Sequence, residues 1–170
     1  MLRNPATAVC SSSDDRELNG QWMDINPGDR IIFTAWFMTT ASSQGDTSNV
    51  HGGCLDIDMY GGNNPNGVTR ICGIMDADGT SNYYTCGIPS PTTCVPWGTG
   101  TWTQVTMDFV VPSTYAADGY SGSGGYAAGT PVVPSGFIPV IYGGSNSWIG
   151  GSPENGIIYV SNTEIYIISP

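Results

Sequence analysis

Alternation with a period of two runs through most of this chain, and a helical period of 3.6 hardly occurs, so the sequence predicts strands throughout. Residues 31–39, Ile-Ile-Phe-Thr-Ala-Trp-Phe-Met-Thr, form the strongest of them. Just before it, Asn26-Pro27-Gly28-Asp29 sets Pro and Gly where a turn favours them. Residues 55–60 alternate cleanly and put Leu55, Ile57 and Met59 on the core face. Further strands are predicted over 68–75, 102–111, 137–142 and 156–168, with shorter ones over 7–12, 21–25 and 82–86. Eight or nine strands with uneven, Gly-rich connections point to one all-β domain over 1–170, an antiparallel two-sheet β-sandwich of the jelly-roll kind. Between 112 and 134 the chain turns to Gly, Ser, Ala and Tyr, and reads as one long surface loop carrying Tyr115, Tyr120 and Tyr126.

Composition agrees with strands and excludes several functions. Charged residues are only 11% of the chain, there is no Lys, and Glu occurs only at 17, 154 and 164. The 24 Gly and 12 Pro supply turns instead. A net charge of −10 speaks against nucleic acid, whose phosphates need clustered Lys and Arg, and against anionic membrane surfaces. It accepts neutral glycans and cations. No apolar run approaches the ~20 residues needed to cross a bilayer, so no membrane insertion is expected. Residues 1–9 lack the positive-then-apolar layout of a secretory leader, so either a leader has been removed or the chain leaves the cell another way.

Five cysteines, at 10, 54, 72, 86 and 94, are many for a cytosolic domain and point to an extracellular or cell-surface protein. No Cys-x-x-Cys occurs, and His51 is the one histidine, so structural zinc is disfavoured. Cys86 and Cys94 bracket a tight Gly-Ile-Pro-Ser-Pro-Thr-Thr loop, which predicts a local disulfide. Cys54 and Cys72 lie on neighbouring candidate strands and predict a second. Cys10 is then left as a buried thiol or a link to another chain.

Three segments, in order, carry a family resemblance. They run from Trp22-Met23-Asp24 through Pro27-Gly28 to Ala35-Trp36, from Gly100-Thr101-Trp102-Thr103-Gln104-Val105 to Val111-Pro112, and from Ile157-Ile158-Tyr159 to Ile165-Tyr166-Ile167. Together they resemble the jelly-roll carbohydrate-binding modules appended to xylanases, cellulases and laminarinases, over roughly residues 20–168. The resemblance implies a non-catalytic module that binds neutral polysaccharide. It has two departures. Nothing before Ala6 matches the Asn-Gly-Phe-Glu-like opening strand of the family, and Ser161-Asn162 stands where the closing strand usually carries Asp. Those places commonly supply the family's structural Ca²⁺, so that ion is not carried over. The vacant opening strand also motivates an alternative: a structural subunit of an extracellular filament or surface layer, or a viral surface protein, that joins copies of itself by donating residues 1–12 as an exchangeable strand.

Catalysis is hard to assemble from these residues, and the chain is expected not to be an enzyme. His51 sits in Asn-Val-His-Gly-Gly with no nucleophile motif nearby. Asp56 and Asp58 share one face of one strand, about 6.8 Å apart by strand rise, and do not oppose each other as a glycosidase pair must. Aromatic rings are the better lead, because they stack on the C–H faces of sugars while polar neighbours bind hydroxyls. The candidate platform residues are Trp97 and Trp148, in Gly-containing loops, followed by Tyr83, Tyr84 and Tyr60. Trp36 and Trp102 are assigned to the core. Asp76, Asp78 and Asn82 form half of a calcium-loop pattern without its final bidentate Glu, a candidate Ca²⁺ site whose plain alternative is an Asp-Gly turn.

Overall fold

The computed structural model describes residues 7–9, 16–40, 53–64, 67–74, 94–96, 98–117, 119, 126–143 and 157–170. Among them the chain forms twelve strands. They are β1 (Thr7–Val9), β2 (Arg16–Asn19), β3 (Met23–Asp24), β4 (Arg30–Thr39), β5 (Gly53–Asn64), β6 (Gly67–Ile74), β7 (Cys94–Val95), β8 (Thr103–Val110), β9 (Tyr115–Ala116), β10 (Pro131–Val132), β11 (Pro134–Gly143) and β12 (Ile157–Ile168).

Sheet one runs β1-β12-β4-β8, and sheet two runs β2-β11-β5-β6, with β3 added on β11 and β7 on β5. All pairings are antiparallel. The pairs β1·β12 and β4·β8 fall in sheet one, while β2·β11 and β5·β6 fall in sheet two. Outer strands of the sequence thus pair with each other, and successive pairs alternate between sheets. That is the winding of a jelly roll, an all-β two-sheet sandwich.

Burial follows the alternation read from the sequence. On β4, Ile31, Phe33, Ala35 and Phe37 are buried, and from sheet two they meet Leu55, Ile57, Met59, Ile71 and Phe137. Each such side chain contributes about 1.5–3 kcal/mol by leaving water. The turn before β4 forms as the sequence predicts: the Asp29 N–H donates to the Asn26 carbonyl at 3.1 Å, with Gly28 at φ 96°, a conformation that favours glycine. Arg30 and Asp108 link β4 to β8 through two hydrogen bonds of 2.8 and 2.6 Å, and this holds the Asp108 carboxyl below the usual carboxylate range. Along β12, the register shifts between Ser161 and Glu164, where Asn162 takes φ 49°. Asparagine tolerates that left-handed conformation, and a bulge falls at Ser161-Asn162.

Several expectations need correction. Both predicted disulfides are overturned, because Cys54 and Cys94 are bonded to each other, with Cα atoms 4.0 Å apart. The reason is β7, which lies beside the start of β5 and sets Cys94 directly opposite Cys54. Cys72 pairs in register with Met59, five residues further along β5 and about 17 Å away by strand rise, beyond the reach of the Cys54 sulfur. Cys72 is itself disulfide-bonded, and Cys10 and Cys86 lie outside the described residues.

The segment 112–134 is not one open surface loop. It contains the β9–β10 hairpin, and Tyr115 is 1% exposed within the core. Tyr126 packs against that core and donates its hydroxyl to the Gly61 carbonyl at 2.9 Å. Trp102, assigned to the core, is 45% exposed just before β8. Trp36 is half-buried on the outer side of β4. β1 pairs with β12 of its own chain, through Thr7–Tyr159, Ala8–Ile158 and Val9–Ile157, in the place of the opening strand.

Candidate functional site

The outer face of sheet two gathers aromatic and charged side chains into one neighbourhood. Its frame is a register row across four strands. Asp24 on β3 is opposite Gly136 on β11, Gly136 is opposite Tyr60 on β5, and Tyr60 is opposite Arg70 on β6. Alternation on β5 sends Leu55, Ile57 and Met59 inward, so Asp56, Asp58 and Tyr60 must project from the outer face.

Trp22, two residues before Asp24, lies along this row. Its indole Nε1–H donates to Asp24 Oδ1 at 2.7 Å, and its ring centroid is 5.5 Å from that of Tyr60, tilted by 56°. Glycine at 136 makes the placement possible: a Cβ there would fall 2.0 Å from the Trp22 ring. The indole therefore rests on bare backbone of β11, and at 38% exposure it also presents ring surface to solvent. A tilted pair at this separation is a favourable aromatic geometry, and it holds both rings in place without closing over them.

Beside the rings stands an ionic cluster. Arg70 Nε donates to Asp58 Oδ1 at 2.6 Å, and the two side chains are only 24% and 21% exposed. A second glycine shapes this part of the site. A Cβ on Gly73 would meet the Arg70 guanidinium at 2.7 Å, Asp56 Oδ1 at 3.5 Å and Asp58 Oδ1 at 3.6 Å. The guanidinium thus lies over the Gly73 backbone, close to both carboxylates. A planar guanidinium tied to Asp58 offers fixed donors, and the Asp58 carboxylate offers a fixed acceptor. Rings for apolar faces and oriented donors and acceptors for hydroxyls are what a neutral sugar needs.

Of the residues named from the sequence, the structure brings Tyr60 into this site. Trp97, Trp148, Tyr83 and Tyr84 lie outside the described residues, as do the candidate calcium residues Asp76, Asp78 and Asn82. Among the described residues, no group of three or more His, Cys, Asp or Glu could hold a metal ion, and no helix is long and apolar enough to cross a membrane. Sequence reading missed Trp22, Asp24 and Arg70 as site residues. The usable signal was the alternation of β5, which puts its two aspartates beside Tyr60; the approach of Trp22 to Gly136 has no local trace.

No family model matches this chain, and no curated protein matches it. Among solved structures it is similar to one titled "Structure of infectious bursal disease virus Gt strain", at TM-score 0.35 and 10% identity, over 97% of this chain and 33% of that one. The chain spans about a third of the structure it matches, and a likeness of that degree carries no argument about function.

Proposed function

We propose that this domain is a non-catalytic, extracellular carbohydrate-binding module that takes a neutral polysaccharide on the outer face of sheet two. The observation that carries the reading is the Trp22–Tyr60 pair seated on Gly136, next to the Asp58–Arg70 cluster. An exposed ring stacks on a sugar face, and the neighbouring charges bind its hydroxyls. Among the described residues, three carboxylates, Asp24, Asp56 and Asp58, against the guanidinium of Arg70 leave this face acidic, as is the whole chain at −10, so acidic glycans are repelled. Asp56 and Asp58 leave β5 on the same side and Asp58 is tied to Arg70, an arrangement for holding hydroxyls rather than for acid–base chemistry across a glycosidic bond. The Cys54–Cys94 disulfide supports placement outside the cell.

The test is retention on a panel of insoluble neutral polysaccharides. Wild-type protein is retained on at least one, and Trp22→Ala binds it roughly ten- to a hundred-fold more weakly, the usual loss for a removed stacking ring. Passage of the wild-type protein through every member of the panel rejects the reading. The strand-donation alternative turns on β1, which has three register pairs on β12. Removal of residues 1–12 abolishes polymers if that strand is exchanged between copies and leaves the association state unchanged if it is not.

A further inference from the structure

Cys72 forms a disulfide, and the strands fix where that bond begins. Cys54 and Cys94 hold each other, so of the five cysteines Cys10 and Cys86 remain as partners for it. Cys72 is fully buried on β6, and a cysteine of another chain could not reach it without opening the sandwich. A disulfide requires Cα atoms within about 7 Å of each other. That distance separates the two remaining cysteines.

Cys10 follows Val9 directly, so the Cα atoms of the two are about 3.8 Å apart. Val9 pairs with Ile157, the neighbour of Ile158. Ile158 lies under the start of β5: a Cβ on Gly53 would fall 3.2 Å from its Cγ2 and 2.7 Å from the Phe37 ring. Cys72 stands opposite Met59, six residues further along β5 and about 20 Å from Gly53 by strand rise. The sheet orders add a sideways separation. β1 is an edge of sheet one, and β5 packs on β4 and β8, away from that edge, with β6 beyond it. Cys10 is therefore far outside disulfide range of Cys72.

Cys86 meets the same condition. It precedes Cys94 by eight residues, and Cys94 is anchored opposite Cys54, about 17 Å along β5 from the level of Cys72. Eight residues of extended chain span up to about 26 Å, and the twelve from Ile74 at the end of β6 span more. Chain length thus allows Cys86 beside Cys72 from both directions.

From these distances we infer that Cys72 is joined to Cys86, and that Cys10 takes part in no disulfide within the chain. Two bonds then clasp the same edge of sheet two. Cys54–Cys94 fastens β7 to β5, and Cys72–Cys86 fastens the connection between β6 and β7 back onto β6. Cys72 lies opposite inward-facing Met59, while Arg70 lies opposite Tyr60 on the outer face. The second clasp therefore holds, from the inner side, the strand that carries the guanidinium of the candidate site.

Alkylation of the unreduced 170-residue chain in denaturant, followed by digestion and mass spectrometry, tests the pairing. With no Lys and with Arg at 3, 16, 30 and 70, trypsin leaves residues 71–170 in one piece, so chymotrypsin is used. Cleavage at Tyr84 and Trp97 keeps Cys86 and Cys94 on one peptide. The expected product links that peptide to both the Cys54 and the Cys72 peptides, with Cys10 alkylated or joined only to Cys10 of a second copy. Two variants read the same pairing by the thiols that become alkylated. Cys10→Ser leaves none, and Cys86→Ser exposes Cys72 in addition to Cys10. A Cys10–Cys72 link, or an alkylated Cys86 or Cys72 in the wild type, overturns the inference. So does a Cys10→Ser chain that gains alkylated thiols at Cys72 and Cys86, and that variant decides alone if Cys86→Ser fails to fold. Polysaccharide retention plays no part in these outcomes.

Discussion

Removing one atom from the core should make this protein more stable. The Tyr115 ring is buried in the core cluster at 1% exposure, and its hydroxyl has no hydrogen-bond partner among the described residues. A buried hydroxyl without a partner costs about 1–3 kcal/mol of lost hydration. Tyr115→Phe keeps the ring and removes that cost. The void it leaves is smaller than one water, and at about 24 cal/mol per Å³ it returns only a few tenths of a kcal/mol. The net expectation is a gain of about 1–2 kcal/mol, read as a rise in Tm of about 2–4 °C per kcal/mol for a chain of this size. A second signature comes from pH. Burial pushes the Tyr115 phenol well above the ordinary tyrosine range. A pKa raised in the folded state means stability that is whole below the unfolded value of about 10 and is lost as pH rises beyond it. The advantage of Tyr115→Phe should therefore widen above pH about 10. Thermal denaturation followed by circular dichroism, with disulfides intact, measures both effects. A Tm lowered by the substitution, or a gap indifferent to alkaline pH, refutes the reasoning.

Two further predictions concern the sheets. Cys54→Ser with Cys94→Ser opens a closure of 40 residues and should cost about 4 kcal/mol on the chain-entropy account, measured by denaturant unfolding under non-reducing conditions; non-reducing peptide mapping should recover Cys54 joined to Cys94. Gly136→Ala drives a methyl into the Trp22 ring and should break the indole bond to Asp24, seen as changed tryptophan fluorescence together with weaker polysaccharide retention and little change in Tm.

What could be read from the sequence was whatever repeats locally. The alternation of Ile31, Phe33, Ala35 and Phe37, and of Leu55, Ile57 and Met59, marks a core face because side chains on a strand take opposite sides in turn. The type of turn at Pro27-Gly28 is likewise a local matter. Pairings between distant segments left no such mark. Cys94 meets Cys54 because two-residue β7 settles beside β5, and so short a strand has no periodicity to recognise. The same holds for β9 and β10, whose burial of Tyr115 is set by the hairpin and not by the Gly- and Ser-rich neighbours that suggested an open loop. Trp102 follows the strand alternation but sits outside the covered part of sheet one, so a residue type usually found inside is exposed. The proposed sugar site shows both cases. Tyr60 and its two aspartates follow from the pattern of β5, while Trp22 reaches them only through Gly136, on a strand that folds back from much later in the chain.

The most direct test of the proposed function is to see which residues respond to a sugar. Titration of isotopically labelled protein with a soluble oligosaccharide of the retained polysaccharide, followed by NMR, reports on the two sheets and on Trp97 and Trp148 separately. The predicted result is a shift of the Trp22 indole Nε1–H and of the Asp24, Tyr60 and Arg70 amides, saturating together at one affinity. Shifts confined to Trp97 and Trp148, or to Val110, Tyr166 and Ile168 on sheet one, with the Trp22 indole unmoved, would contradict it.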